Sequence, residues 1–115
     1  MSANDNKIET RPRNWLTAVA LLILREKSSY GYQLMERLRE EFGFEQLNPG
    51  TLYRTLRHME EEGLCESEWE TSESGPARRT YSLTEAGESY LSICAQKCEK
   101  YQRVVESFFL SYAAQ

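Results

Sequence analysis

From Thr84 onward no proline interrupts the chain, and Leu91, Cys94, Cys98, Tyr101, Val105, Phe108 and Tyr112 recur at alternating intervals of three and four residues. This is the spacing of a coiled-coil seam sustained over three heptads. Thr84 suits an N-cap and Glu85 puts a negative charge in the first turn, so a helix is expected from there to about Tyr112. At ~1.5 Å per residue such a helix is about 43 Å long, longer than the diameter of a small globule. Much of the seam must therefore meet a partner.

A chain of 115 residues has room for one domain. With 40% hydrophobic residues and 28% charge it has enough apolar material for a core, but a domain of this size buries only a modest fraction of its surface. Association would add to that core. Cys65, Cys94 and Cys98 are an odd set without a disulfide-framework spacing, and no charged-then-apolar leader precedes the first helical run. A cytoplasmic protein with free thiols is expected. The longest apolar stretch, Trp15 to Leu24 broken only by Thr17, is about half of the roughly 20 residues that cross a bilayer, so no membrane span is expected.

Residues 1–13 are polar and aperiodic and read as a flexible arm ending in Arg11-Pro12-Arg13. Asn14 is a candidate N-cap for a first helix, WLTAVALLILRE, which is apolar nearly all round and must be covered on most faces. Ser28 or Ser29 is expected to cap a second helix reaching Phe42, with Gly31, Leu34, Met35, Leu38 and Phe42 on one face and Gly43 as its stop. Asn48-Pro49 then gives an N-cap and a first-turn proline for a third helix over about 49–62, stopped by Gly63. Its apolar stripe is Leu52, Leu56 and Met59. The opposite face carries Gly50, Arg54 and Arg57, with Thr51 and His58 to one side.

Residues 64–71 alternate Cys65, Ser67, Trp69 against Glu66, Glu68, Glu70, as a strand with one buried side does. After a Ser-Gly-Pro turn, 77–83 alternates again with Tyr81 and Leu83 inward. The two are expected to form a hairpin with Arg78 and Arg79 at its tip.

The net charge is 14 − 18 = −4, but its distribution matters more than its sum. Residues 60–73 hold seven Glu and no base, whereas 48–58 hold Arg54, Arg57 and His58 and no acid, and 74–82 hold Arg78 and Arg79 and no acid. With Arg11 and Arg13 on the arm, the basic residues fall on three elements. A winged helix brings such elements to one side, with the third helix in the major groove and the hairpin along the flanking backbone. Arg54 and Arg57 have planar forks for guanine O6 and N7 or for phosphate, N–H groups from Asn48 to Thr51 favour an anion, and Tyr53 can reach a phosphate through its hydroxyl.

These features together resemble the PadR family of transcriptional repressors. The resemblance rests on Tyr30-Gly31-Tyr32, on Asn48-Pro49-Gly50-Thr51-Leu52-Tyr53-Arg54-Thr55-Leu56, on Glu62-Gly63-Leu64, on Gly75-Pro76-Ala77-Arg78-Arg79 and on residues 81–87, YSLTEAG. It covers about residues 14–112. The order and spacing of these motifs carry it, since each alone is weak. It implies a homodimer whose C-terminal helix packs against the partner's first helix, binding palindromic promoter DNA and often released by a small ligand. The single long C-terminal helix resembles the short subgroup of the family. The stretch around 66–88 looks most like the polyhydroxybutyrate-responsive repressors, with the cyanobacterial circadian period-extender protein as a short relative. The acidic strand Glu66, Glu68, Glu70 departs from the pattern and puts in doubt DNA contact from its outer face.

The expected fold is mainly α with a small β-hairpin: an arm (1–13), a winged helix-turn-helix domain (14–83) and a long C-terminal dimerisation helix (84–115). The DNA-binding set is Asn48, Gly50, Thr51, Tyr53, Arg54, Arg57, Arg78, Arg79, Arg11 and Arg13. The dimerisation set is Trp15, Val19, Leu22, Leu91, Cys94, Cys98, Tyr101, Val105, Phe108 and Tyr112. For the arginines the plainer alternative is a solvated face paired with nearby glutamates, and Arg79, on the Tyr81 side of its strand, could pair inside the hairpin. Trp15 is either a lid over a small hydrophobic effector or an anchor against the partner helix. Cys94 and Cys98, four apart on one face, have metal-compatible spacing with Cys65 and His58 in reserve, but small thiols in a seam are better read as packing. No cofactor or metal is expected. One His, no G-x-S-x-G, no phosphate loop and no catalytic carboxylate pair leave little for an enzyme. The stronger rival is a winged-helix adapter that binds a protein, with the acidic 60–73 patch as its candidate surface.

Overall fold

A computed structural model describes residues 14–72 and 75–115. The chain runs α1 (Trp15–Glu26), β1 (Ser29–Tyr30), α2 (Gly31–Glu41), α3 (Pro49–Glu61), β2 (Cys65–Ser72), β3 (Gly75–Leu83) and α4 (Glu85–Ala114). This is a mainly helical fold with a small antiparallel sheet ordered β1-β3-β2.

α1 is the centre of the packing, as its apolar run requires: Ala18, Val19, Ala20, Leu21, Ile23 and Leu24 are all buried. Leu34 and Leu38 of α2 and Leu52, Leu56 and Met59 of α3 close on it, with Tyr81 from β3 and Leu91 from α4. Leu21, Leu34, Leu38, Leu52 and Leu56 are fully inaccessible, so truncating any of them to alanine should cost about 2–5 kcal/mol. Asn14 stands at the N-cap position but turns left-handed (φ 63°) and makes no side-chain cap; its carbonyl accepts from Ala18 N–H at 3.0 Å. Among the described residues no helix is long and apolar enough to cross a membrane.

The start of α2 differs from the expectation that Ser28 or Ser29 would cap it. Ser29 and Tyr30 instead pair with Tyr81 and Thr80 as a two-residue strand, and Tyr30 becomes the N-cap. The Gln33 side chain accepts from Tyr30 N–H at 2.9 Å, satisfying one of the donors a helix start leaves open. Gly43 ends the α2 segment in the left-handed conformation (φ 78°), and the Arg39 guanidinium forks onto the Leu47 carbonyl at 3.0 and 2.7 Å. That fork holds the turn that aims α3.

The Asn48 side chain caps α3 by accepting from Thr51 N–H at 2.9 Å, a contact worth about 1 kcal/mol. Gly63, also left-handed (φ 76°), lets the chain turn into β2. The ladder pairs Cys65 with Leu83, Ser67 with Tyr81, Trp69 with Arg79 and Glu70 with Arg78. Arg78 and Arg79 therefore stand in the body of the hairpin, a correction to their expected place at its tip. Trp69 keeps its place on the Cys65 face, yet it is 63% exposed because the hairpin extends past the core there.

Thr84 caps α4 by accepting from Gly87 N–H at 3.0 Å and ties it back by donating to the Gly63 carbonyl at 2.6 Å. At 30 residues the helix is ~45 Å long. Only its first turns are covered: Gly87 and Leu91 are buried, whereas Tyr101, Phe108 and Tyr112 are exposed and Phe108 stacks on Tyr112 at 6.4 Å.

Candidate nucleic-acid interface

α3 buries Leu52, Leu56 and Met59 and presents Gly50, Tyr53, Arg54, Arg57 and His58 to solvent, as 100° per residue dictates. At its N-terminus the expected row of free N–H groups shrinks. Pro49 has none and Thr51 donates to Asn48, so Gly50 supplies the first-turn donor that remains for an anion. The Arg54 guanidinium leans back on Thr51 Oγ1 at 3.4 Å. His58 lies 3.8 and 3.3 Å from Glu61 and Glu62, on the acidic end of the helix.

The wing is tied to α3 by a polar chain. Arg79 Nε donates to Ser67 Oγ at 2.7 Å and Ser67 Oγ donates to Glu60 Oε2, also at 2.7 Å. Arg79 also sits 3.9 Å from Glu60 and 5.2 Å over the Trp69 ring. It is thus the engaged member of the arginine pair, pairing within the hairpin and with α3. Arg78, on the other face, lies 5.1 Å over the Tyr30 ring.

Tyr53 joins the two halves. It shares one cleft with Tyr30, Trp69, Arg78 and Arg79 and an adjoining one with Arg57, Arg79 and Tyr81. Arg57 of α3 and the two wing arginines thus flank this pair of clefts, the second of which Glu60 and Glu61 also line, while Arg54 lies outside both. Arg11 and Arg13 lie outside the described residues.

Charge pairing separates Arg54, Arg57 and Arg78 from the other described arginines. Arg25, Arg37, Arg79 and Arg103 have carboxylate partners, and Arg39 holds a carbonyl. Among the described residues Arg54, Arg57 and Arg78 have no carboxylate within ion-pair distance, although the chain carries more acids than bases. Unpaired guanidinium groups on an acidic chain are available to a phosphate backbone. The sequence could not show this, because pairing is settled by distances across elements.

A second recess, of about 560 Å³, lies between α1 and α4, with Trp15, Leu22, Leu91, Cys94 and Cys98 on its walls and the Arg25–Glu88 pair (2.8 Å) among its lining residues. Val19 and Leu91 are at once its floor and part of the chain's own core. Two of the thiols are poor nucleophiles: burial pushes Cys65 up to about 12, with Glu60 and Glu66 adding to it, and burial also raises Cys94.

The model of the transcriptional regulator PadR-like family matches residues 20–93 of this chain. Among solved structures, a PadR family transcription regulator from Clostridium difficile is 31% identical with a TM-score of 0.76, over 83% of this chain and 98% of that one. A PadR-like transcriptional regulator from Bacillus cereus is 29% identical (TM-score 0.73; 82% and 90% covered), and a Streptococcus transcriptional regulator 31% identical (TM-score 0.71; 81% and 90%). A comparison with curated proteins returned no match.

Proposed function

Because this chain belongs to the PadR-like family, whose members are winged helix-turn-helix transcriptional regulators and not enzymes, we propose that it is a homodimeric repressor acting in the cytoplasm on a palindromic operator. The unpaired state of Arg54, Arg57 and Arg78 carries this reading. α3 enters the major groove, Arg54 and Arg57 reach bases or phosphates, Gly50 and Tyr53 meet the backbone, and Arg78 with Arg79 follows the flanking phosphates. Asn48 and Thr51 act chiefly by shaping the start of α3.

Residues 14–83 form the DNA-binding unit and 84–115 the dimerisation helix. Support for the dimer comes from the apolar residues α4 leaves in solvent, Tyr101, Phe108 and Tyr112 above all, and from the recess beside Trp15 and Leu22, where the α4 of a second copy would lie. The part of that recess which a second α4 leaves open is where a small hydrophobic effector would sit. Trp15 is then anchor and cover at once.

Selection from random duplex DNA near physiological salt tests the reading, since affinity without its salt concentration says little about specificity. Enrichment of a two-fold palindrome is expected. Recovery of nothing above background from folded protein would favour a protein-binding adapter or a repressor that needs its ligand to bind.

A further inference from the structure

The acidic strand is the feature least suited to a DNA-binding wing, and one of its carboxylates has a place of its own. Glu70 stands across the ladder from Arg78, on the outer face of the hairpin. Its Oε1 accepts from the Tyr30 hydroxyl at 2.9 Å, and its Oε2 accepts from the Thr80 hydroxyl. Tyr30 is the residue that ends β1 and caps α2, its ring stacks on Tyr32 (centroids 5.7 Å, planes 14° apart), and the Arg78 guanidinium lies on that ring. Glu70 thus fixes the ring on which Arg78 rests.

We propose that Glu70 is a positioning residue for DNA binding: it clamps Tyr30 to the wing so that Arg78 is held out toward the backbone of the bound duplex. The proposal rests on the reading that this face binds DNA. Glu66 and Glu68 on the same strand have no such partners among the described residues, so the role belongs to one carboxylate and not to the acidic run. The Glu70 carboxyl is held below the usual range by the Thr80 and Tyr30 hydroxyls, with Arg78 adding to it, so it is ionised wherever the protein works near neutrality. A neighbouring anion would ordinarily blunt a phosphate-binding arginine. Here its two oxygens are taken up by hydroxyl donors, which hold the carboxylate in place but leave its charge.

The two views of Glu70 predict opposite signs. If it only repels phosphate, Glu70→Ala removes a negative charge from the interface and tightens DNA binding. If it positions Arg78, the same change loosens it. We would measure operator affinity against salt for wild type, Glu70→Ala, Glu70→Gln, Arg78→Ala and the Glu70→Ala/Arg78→Ala pair, with thermal melts to confirm that each is folded. The expected result is a roughly tenfold loss for Glu70→Ala with a salt slope lower by about one, as for Arg78→Ala. Glu70→Gln, which still accepts a hydroxyl, keeps most of the affinity, and the double variant is no weaker than Arg78→Ala alone. Unchanged or tighter binding by Glu70→Ala, or a loss as large in the Arg78→Ala background, overturns the positioning role and leaves DNA binding by this face intact. Failure of the wild type to bind any duplex overturns both.

Discussion

Tyr53 of α3 fills the space that a side chain on Gly31, the first residue of α2, would need: a Cβ on Gly31 would overlap the Tyr53 hydroxyl and its ring carbons. Tyr53 is 43% exposed, so its ring can swing outward. Gly31→Ala is therefore expected to fold, to lose about 1 kcal/mol by crowding, and to weaken DNA binding by displacing Tyr53 from the cleft it shares with Arg57 and Arg79. Melting curves and operator titrations check both parts. In a Tyr53→Ala background the penalty should vanish, because alanine itself suits a helix better than glycine.

Gly87 is the stricter case. A Cβ there would meet the Leu64 carbonyl oxygen, which is backbone, as well as Leu83 Cδ1. Neither α4 nor the start of β2 can yield without moving the other. Gly87→Ala should cost about 1–3 kcal/mol, more than Gly31→Ala, and it should also shift the base of α4. Chemical denaturation of the two variants side by side tests the order.

Cys65 gives a pH dependence with a definite sign. Its thiol is raised from 9.0 to about 12 in the folded chain, chiefly by burial. Below pH 9 the thiol is protonated in both states and nothing is lost. Between 9.0 and about 12 the unfolded chain releases the proton while the native chain keeps it, so stability falls as pH rises through that window. Tyr81, raised mainly by burial, works in the same direction. Cys65→Ala should reduce the alkaline fall, as read from melts over that window, and a thiol reagent at neutral pH should label Cys65 only as the chain unfolds.

What the sequence disclosed, and what it did not, follows the range of the interactions. The helices were legible because Leu34, Leu38, Leu52, Leu56 and Met59 repeat within their own segments, and Asn48-Pro49 and Gly63 mark the bounds of α3 locally. β1 was not, since two residues carry no period; Ser29 and Tyr30 are a strand only because Tyr81 and Thr80, some fifty residues on, pair with them. The parity that put Arg79 beside Tyr81 was readable, and with it the pairing inside the hairpin. That Arg79 is engaged by Ser67 and Glu60 while Arg78 is unpaired is a matter of distance between elements, which no local pattern encodes.

Arg54 and Arg57 separate a regulator from an adapter. Neither supports the core, so Arg54→Ala and Arg57→Ala should melt like the wild type. Each should cost about 1–3 kcal/mol of operator affinity if it contacts a base, with specificity relaxed at that position. If it contacts only phosphate, the loss should be uniform across sequences and the salt slope should drop by about one. An operator bound as tightly without either guanidinium would move recognition off α3.

The seam of α4 is expected to bind DNA indirectly, by holding two reading heads at a fixed spacing. Tyr101, Phe108 and Tyr112 are exposed, and the stacked Phe108–Tyr112 pair lies far along a helix whose buried contacts end at Leu91. A charge there would be stranded in any apolar interface but costs the isolated chain little, because none of these residues belongs to the monomer's buried core. Tyr101→Glu and Phe108→Glu should therefore keep the helical signal and the core of the monomer, halve the mass seen by sedimentation, and lower operator affinity together with it. A single half-site should be bound by these variants about as weakly as by the wild type, since one α3 reads it in either case. A wild-type protein that sediments as a monomer at operator-saturating concentration would refute the seam as an interface.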